Sequence, residues 1–292
     1  MSRPRAFLEL FAGTASVTLR LLGCAQPPIG YMGSKRRLAP DILAAMGLNA
    51  GQSADAVVLV DAGPWGDVWT TLLAGGWRRV ADRLRDWSDE DASDLWHQLA
   101  SEQRPADATD RAAAFLVLQA GSAMLRAVGW SGAGWATHGY AHLSALAVEK
   151  GFRSRVLVGL VADRLESAGA VGWPRALSLS AHPAPADIAA WLGSDDLSGV
   201  VAYLDPPYRG TTGYAVDCPR DEVVRLATAY RDAGALVVVS EAEALPELSD
   251  WWAVDITPPR SSTGRVAKPE WLTMSAEPAA VPGRALSLWG AA

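Results

Sequence analysis

Residues 199–208 read Gly-Val-Val-Ala-Tyr-Leu-Asp-Pro-Pro-Tyr, an apolar run that stops at an aspartate followed by two prolines. An unbroken apolar run of this length is typical of a strand that is covered on both faces. Each proline fixes its φ angle and lacks a backbone N–H, so the chain after the strand must form a stiff corner. The stretch therefore predicts a buried strand, Gly199 to Leu204, whose carboxyl end presents Asp205.

Three further runs have the same apolar character, namely Ala6 to Leu10, Ala56 to Val60 and Ala235 to Ser240. A helical pattern follows the first run at 17–22, and an amphipathic stretch at 222–233 precedes the last one. Strands that alternate with helices, and that are apolar on both faces, indicate a doubly wound and mostly parallel sheet. The fold class predicted here is α/β.

The segment 88–175 differs from the rest of the chain. Helical patterns at 112–125 and 156–167 flank a loop at 128–140 that is rich in Gly and Trp. We interpret it as a helical subdomain inserted into a domain formed by 1–87 and 176–292. Trp130 and Trp135 lie in the Gly-rich loop, where an indole can meet a flat partner.

Composition excludes several classes of protein. The chain has 292 residues, of which 50% are hydrophobic and 20% charged, and its net charge is −6. These values are typical of a folded globular protein. No run approaches the roughly 18 apolar residues of a membrane span, so we expect a cytoplasmic protein without a membrane partner, and a monomer. Any nucleic-acid partner of so acidic a chain must be held by a local basic face.

Cysteine and histidine spacing argues against metals and disulfides. Cys24 and Cys218 lie far apart, outside any CxxC pattern. His138 and His142 have i, i+4 spacing, but the sequence around them offers no third ligand. We therefore expect no metal site.

Residues that end parallel strands meet in one crevice of an open α/β sheet. At the first strand, Glu9 can place a carboxylate near a cationic group, and Gly13 allows a ligand to approach the backbone closely. At the second, Asp61 can accept two hydrogen bonds from a ribose diol, although a helix-capping or turn aspartate is an equal reading.

The corner Asp205-Pro206-Pro207-Tyr208 is the most specific of these strand ends. It presents two acceptors, the Asp205 carboxylate and the Pro206 carbonyl, beside two residues without N–H groups. An amino group with two hydrogens needs two such acceptors. Tyr208 adds an aromatic face on which a planar base can stack. The corner therefore predicts a site for the amino group of a planar base.

Several motifs together resemble those of the Dam-like, alpha-group DNA adenine methyltransferases. They are the corner Asp205 to Tyr208, the turn Phe11-Ala12-Gly13 and the segment Tyr31-Met32-Gly33-Ser34-Lys35-Arg36-Arg37-Leu38. Ala112 to Leu125 is similar to the helix before that family's target-recognition region. Arg260 to Arg265 with Glu270-Trp271-Leu272 resembles its C-terminal hairpin.

This resemblance implies a Rossmann-like methyltransferase fold that binds S-adenosyl-L-methionine and methylates the exocyclic amino nitrogen of adenine in double-stranded DNA. The adenine would be flipped out of the duplex into the site. Asp205 would accept the amino hydrogens, and Asp61 would hold the cofactor's ribose. Lys35 would lie near the cofactor's carboxylate or the target base. The remaining cofactor-binding residues implied are Glu9, Phe11, Ala12, Gly13 and Thr14.

The sequence departs from the family's pattern in three places. Gly33-Ser34-Lys35 follows the Phe11 to Gly13 turn, whereas the family has the equivalent segment before it. Ala15 stands where the family usually has a second glycine. Asp61 is followed by Ala-Gly-Pro-Trp rather than by the usual Asp-x-Asn pattern, and Trp65 either packs on the cofactor's adenine or braces the sheet.

Two basic clusters can contact phosphates. The first cluster includes Arg36 and Arg37, and the second contains Arg260, Arg265 and Lys268. Other targets remain open, namely the amino group of cytosine, an RNA base, or a catalytically silent DNA-binding protein. Methylation of a cytosine ring carbon is disfavoured, because it needs a Pro-Cys nucleophile whereas Cys218 precedes a proline.

Overall fold

The computed structural model describes residues 3–24, 26–29, 34–122, 127–137, 140, 154–209, 218–258, 268–279 and 286–288. The ten strands are β1 (Ala6–Leu10), β2 (Ala56–Val60), β3 (Gly129–Ser131), β4 (Gly134–Ala136), β5 (Arg175–Leu179), β6 (Val200–Leu204), β7 (Leu236–Glu241), β8 (Trp252–Asp255), β9 (Trp271–Met274) and β10 (Leu286–Leu288).

The nine α-helices of the described chain are α1 (Ser16–Leu21), α2 (Ala39–Ala45), α3 (Pro64–Thr71), α4 (Trp77–Asp86), α5 (Ala92–Ser101), α6 (Ala108–Gly121), α7 (Ser154–Gly169), α8 (Pro185–Leu192) and α9 (Arg220–Asp232). A 3₁₀ turn, Lys35–Arg37, leads into α2. A π-helical turn, Leu72–Gly76, joins α3 to α4. Within these ranges, none of the helices combines the length and the apolar character that crossing a bilayer requires.

Eight strands form one sheet in the order β10-β8-β9-β7-β6-β1-β2-β5. Strands β5, β2, β1, β6 and β7 run parallel to one another, whereas β9 is antiparallel to both β7 and β8. Because the chain builds outward from β1 in one direction and from β6 in the other, the sheet has a switch point between β1 and β6. The predicted Rossmann-like, doubly wound α/β fold is confirmed.

The central strands β2, β1, β6 and β7 are mainly apolar because both faces of the sheet are covered. Phe7, Val57 and Val201 point toward the face covered by α1 to α7. Leu8 and Val58, one position further along their strands, pack on the opposite face under α8 and α9. This alternation, with a core on each side, explains the unbroken hydrophobic runs in the sequence.

Helices of the segment 88–175 pack on the first of these faces. α7 lies along α4, α6 packs against α3 and α4, and α5 packs on α6. Their apolar residues belong to the same core as the sheet residues on that face. The boundaries at 88 and 175, and a target-recognition role for this segment, stay predictions.

Two glycines of α7 allow a matched test of this packing. A Cβ atom at Gly169 would lie 2.4 Å from Cγ of Trp77, whereas a Cβ at Gly159 would have no atom within 4 Å. We expect Gly169→Ala to lower the free energy of unfolding by about 1–3 kcal/mol through overpacking. Gly159→Ala should raise it by up to about 1 kcal/mol through helix propensity. Urea unfolding of both variants measures the contrast, and equal effects would contradict this packing.

Candidate active site

The ends of the parallel strands lie in register at the switch point. Leu10 of β1 pairs with Val60 on one side and with Leu204 on the other. The next residues along the three strands are Phe11, Asp61 and Asp205. The register thus brings together three strand ends that the sequence singled out, because carboxyl ends of parallel strands share one edge.

Asp61 fixes the turn after β1. Its Oδ2 accepts a hydrogen bond from the backbone N–H of Gly13 at 2.9 Å, and its Oδ1 accepts one from Gly63 at 2.8 Å. Trp69 Nε1 donates to the Gly13 carbonyl at 2.7 Å, so both polar groups of this glycine are held. Burial raises the pKa of Asp61, and the two N–H donors partly offset that rise. Asp61 therefore organises the turn in addition to the ribose contact predicted for it.

The turn has a strained backbone. Phe11, Gly13 and Ala15 all have positive φ angles, of 65°, 46° and 47°. This conformation costs a non-glycine residue about 1–2 kcal/mol. Ala15 thus adopts the left-handed conformation for which glycine is the usual residue. Ala12 lies between these positions, and its N–H donates to the Val60 carbonyl at 2.8 Å, which ties the turn to β2.

Glu9 lies on the face of β1 that is covered by α1. Its Oε2 accepts from the Thr18 N–H at 2.8 Å and its Oε1 from the Val17 N–H at 3.4 Å. The carboxylate therefore satisfies N–H groups in the first turn of α1, a helix whose own N-cap residue, Ala15, has no side-chain acceptor. Burial raises the pKa of Glu9 to about 7, despite these donors.

The stability of the fold should depend on pH through Glu9. Folding raises the pKa of Glu9 from 4.5 to about 7. The contribution of this group to the free energy of unfolding is therefore fully present below about pH 4.5 and is lost as the pH rises to 7. The decline can reach about 3 kcal/mol, at about 1.4 kcal/mol per pH unit. We expect Glu9→Gln to reduce this slope in urea unfolding between pH 4.5 and 8. The exposed Glu277→Gln is the control, and equal slopes for both variants would contradict the assignment.

Three hydroxyl groups connect the turn to the segment that follows α1. Thr14 Oγ1 is 2.6 Å from Ser16 Oγ and 3.1 Å from Ser34 Oγ. The two serine oxygens are 2.9 Å apart. The Ser34-Lys35 segment therefore lies beside the turn, although its place in the chain order differs from that in the family. Tyr31, Met32 and Gly33 lie outside the described residues.

Lys35 links this segment to the proline corner. Its ammonium lies 2.8 Å from Asp205 Oδ1, and 4.5 Å from the centre of the Tyr208 ring. The lysine is only 7% exposed, so the ammonium is held inside the site. Lys35 thus lies beside Asp205, and the roles that the resemblance implies for both residues stay predictions.

Glu270 completes the cluster. It lies one residue before β9 and is buried. The Tyr208 hydroxyl donates to Glu270 Oε1, and Lys35 Nζ lies 3.8 Å from the same oxygen. Burial raises the pKa of Glu270 to about 7, with the Lys35 charge opposing and the Asp205 charge adding to that rise. Burial likewise raises the pKa of Asp205, against the nearby Lys35 ammonium.

The proline corner is fixed at both ends. The Asp205 N–H donates to the Leu10 carbonyl at 3.1 Å, which continues the pairing of β6 with β1. The Arg209 N–H donates to Glu241 Oε1 at 3.1 Å, and Glu241 also forms an ion pair with Arg220 at 3.2 Å. Pro206 is buried and Pro207 half-buried between these anchors. The corner is thus held rigidly at the switch point.

The sequence predicts no site role for Glu270 or Glu241. Glu241 continues an apolar strand in the same way as Asp205 and Asp61, so its position after the run 235–240 was a usable signal. Glu270 had no such signal, because it precedes an antiparallel strand and reaches the site only through the sheet order.

Aromatic residues surround the site on two sides. Trp65 is buried, with its ring stacked on Trp69 at 5.9 Å and edge-on to Phe115 at 5.1 Å. These contacts lie within α3 and α6, in the core that also contains sheet residues, and packing of Trp65 on the cofactor's adenine stays a prediction. The Phe11 ring lies 4.2 Å from the ring of His182, which follows β5. His182 is half-buried, and that burial lowers its pKa.

Cationic residues lie around this edge. Arg36 and Arg37 are exposed on the 3₁₀ turn next to Lys35, and Lys268 is exposed two residues before Glu270. The sequence does not predict Arg164 of α7, whose pKa is lowered by burial and, to a smaller degree, by the charge of Arg36. Two predicted residues, Arg260 and Arg265, lie outside the described part of the chain, as do His138 and His142. No cluster of metal-binding side chains occurs among the described residues.

The sequence matches no protein-family model, and no curated protein is significantly similar to it. Among solved structures, the chain is similar to the rRNA methyltransferase aviRa from Streptomyces viridochromogenes at 14% identity and a TM-score of 0.34. That match covers 94% of this chain and 77% of the other. The fold assignment rests on the order and direction of the strands.

Proposed function

We propose that this chain is an S-adenosyl-L-methionine-dependent methyltransferase that acts on the exocyclic amino nitrogen of adenine in double-stranded DNA. The observation that carries the proposal is the rigid Asp205 to Tyr208 corner beside the Gly13 turn at the switch point of the sheet. Ligands of doubly wound folds bind at this place.

The residues at the carboxyl ends of β1 and β2 can bind the methyl donor. Asp61 keeps lone pairs beyond its two backbone donors for a ribose diol, and Phe11 offers an apolar ring next to it. When bound, S-adenosyl-L-methionine supplies an activated methyl group.

The chain's own residues position and polarise the target. Asp205 and the Pro206 carbonyl are the two acceptors for the two amino hydrogens, which orients the nitrogen lone pair away from them. The Tyr208 ring provides a surface for stacking of the extruded base. Catalysis by this site is mainly positioning and electrostatic stabilisation of the charge that develops on the nitrogen.

The base and polymer that are methylated are best found by nucleoside mass spectrometry. Purified protein would be incubated with methyl-labelled S-adenosyl-L-methionine and, separately, with duplex DNA and RNA. Label on the N6 nitrogen of adenine from DNA is the expected result. Label on the cytosine amino group or on an RNA base would replace the proposed target, since the same acceptor pair serves those amino groups. No label on any nucleic acid, in spite of cofactor binding, would favour a silent binding protein.

Nucleic-acid binding should depend on the cations beside the site. We expect Arg36→Ala and Lys268→Ala each to weaken binding of duplex DNA and to reduce the slope of log K against log salt by about 0.9, the value for one phosphate contact. Fluorescence anisotropy of labelled duplex DNA, at salt concentrations from about 50 to 200 mM, measures both the affinity and the slope. Arg225→Ala on α9, under the opposite face of the sheet, is the matched control. An unchanged slope in both test variants would exclude these phosphate contacts.

A further inference from the structure

Glu270 is a site carboxyl group to which neither the motifs nor the proposed chemistry gives a role. It is 6% exposed, and the two partners of its Oε1, the Tyr208 hydroxyl and the Lys35 ammonium, both belong to the acceptor cluster. A buried carboxyl group is costly unless its partners compensate it. Its placement therefore calls for an explanation in terms of Lys35 and Tyr208.

The position of Lys35 raises a conflict with the proposed substrate. Its ammonium donates to Asp205 Oδ1 at 2.8 Å, and an amino group of a base is also a donor that needs this acceptor. Asp205 keeps lone pairs that can accept an amino hydrogen, but while Lys35 stays in place its positive charge neutralises the carboxylate and opposes the positive charge that develops on the amino nitrogen. Because the side chain is buried, the ammonium cannot be left without a carboxylate at small cost.

We propose that Glu270 is a positioning residue that receives the Lys35 ammonium when the target amino group takes its place on Asp205. This inference rests on the proposed function. The separation of 3.8 Å between Lys35 Nζ and Glu270 Oε1 is about 1 Å longer than a charged hydrogen bond. Rotation about the terminal bonds of the lysine side chain is enough to close such a gap, so no backbone movement is required.

The charges around Glu270 are consistent with such a transfer. Lys35 faces it from the 3₁₀ turn, Asp205 and Tyr208 face it from the corner, and Tyr203 faces it from β6. The Ser240 hydroxyl of β7 helps to lower the pKa of Glu270 and lies 2.8 Å from the Tyr203 hydroxyl oxygen. As Lys35 moves from Asp205 to Glu270, the negative charge of Asp205 becomes available to the amino hydrogens. Lys35 thus neutralises Asp205 when the site is empty and Glu270 when the substrate occupies Asp205.

A titration that needs no methyl transfer tests the movement directly. Asp205→Asn removes the charge that holds Lys35, and the pKa of Glu270 would be followed by carbon NMR of labelled glutamate. We expect that pKa to fall, and to fall by at least about one unit more than the same substitution causes in a Lys35→Met background. The double-mutant cycle separates the lysine's movement from the loss of Asp205 repulsion. Equal falls in the two backgrounds would overturn the proposal.

The pH profile of methylation gives a second measurement. Glu270 can receive Lys35 only when it is ionised, so wild-type transfer should decline as the pH falls through about 7. Glu270→Gln should remove this limb and raise KM for the nucleic acid about tenfold, with cofactor affinity unchanged. The exposed Glu243→Gln should keep the wild-type profile. A Glu270→Gln profile like that of the wild type contradicts the inference, whereas a wild type without any transfer contradicts the proposed function and leaves the NMR cycle to decide.

Discussion

Asp205→Ala is expected to lower methyl transfer about 10²- to 10³-fold, the usual cost of removing one preorganised group that stabilises developing charge. The substitution removes the acceptor for the amino hydrogens but leaves Asp61 and the Gly13 turn intact. Cofactor affinity should therefore change by less than about threefold. Asp205→Asn should lose less activity, because its amide oxygen still accepts one hydrogen bond.

Single-turnover methylation and calorimetric titration with S-adenosylhomocysteine measure the two quantities separately. Asp195→Ala, an exposed aspartate after α8, is the control for removal of an acidic side chain. Retained transfer in Asp205→Ala would remove the basis of the proposed function. A large loss of cofactor affinity would instead assign Asp205 to the cofactor.

Asp61→Ala is expected to weaken cofactor binding by at least about 10²-fold. The substitution leaves the N–H groups of Gly13 and Gly63 without their acceptor, at about 1–3 kcal/mol for each group. It also removes the acceptor assigned to the ribose. The free energy of unfolding should fall by about 2–4 kcal/mol, since the Gly13 N–H lies in the turn after β1 and the Gly63 N–H lies at the start of α3.

A nearby control separates stability from binding. Asp67 of α3 forms an ion pair with Arg111 at 3.1 Å, away from the Gly13 turn. Asp67→Ala should lower the melting temperature without changing the dissociation constant of the cofactor. If Asp61→Ala lowers stability yet binds the cofactor normally, Asp61 has only a structural role.

The parts of the fold that could be predicted are those with a local signal. Strands β1, β2, β6 and β7 are buried on both faces, so each has a mainly apolar run that is visible in the sequence. Strand β5 is half-exposed at the edge of the sheet, and Arg-Ala-Leu-Ser-Leu carries a weaker signal. Strands β8 to β10 are short and pair antiparallel with partners that no local pattern specifies.

The site divides in the same way. Asp61 and Asp205 follow predicted strands directly, so the rule for parallel strand ends was sufficient to bring them together. For Glu9, the sequence predicted a nearby positive group, and the structure places its carboxylate at the N-terminal turn of α1. Lys35 lies on the 3₁₀ turn, Asp205 follows β6 and Glu270 precedes β9. Spacing along the chain does not predict that side chains from these three places meet.

The Ser34-Lys35 segment lies beside the Gly13 turn in space and soon after it in sequence. The elements that carry the proposed cofactor site, β1, α1 and β2, are therefore synthesised early. The acceptor half needs Asp205 and Glu270, which emerge much later. Contacts of short sequence separation form fastest, so we expect the Gly13 turn to be organised before the proline corner docks on it. We therefore expect the Lys35 ammonium to remain hydrated during most of synthesis, until Asp205 and Glu270 have been added to the chain.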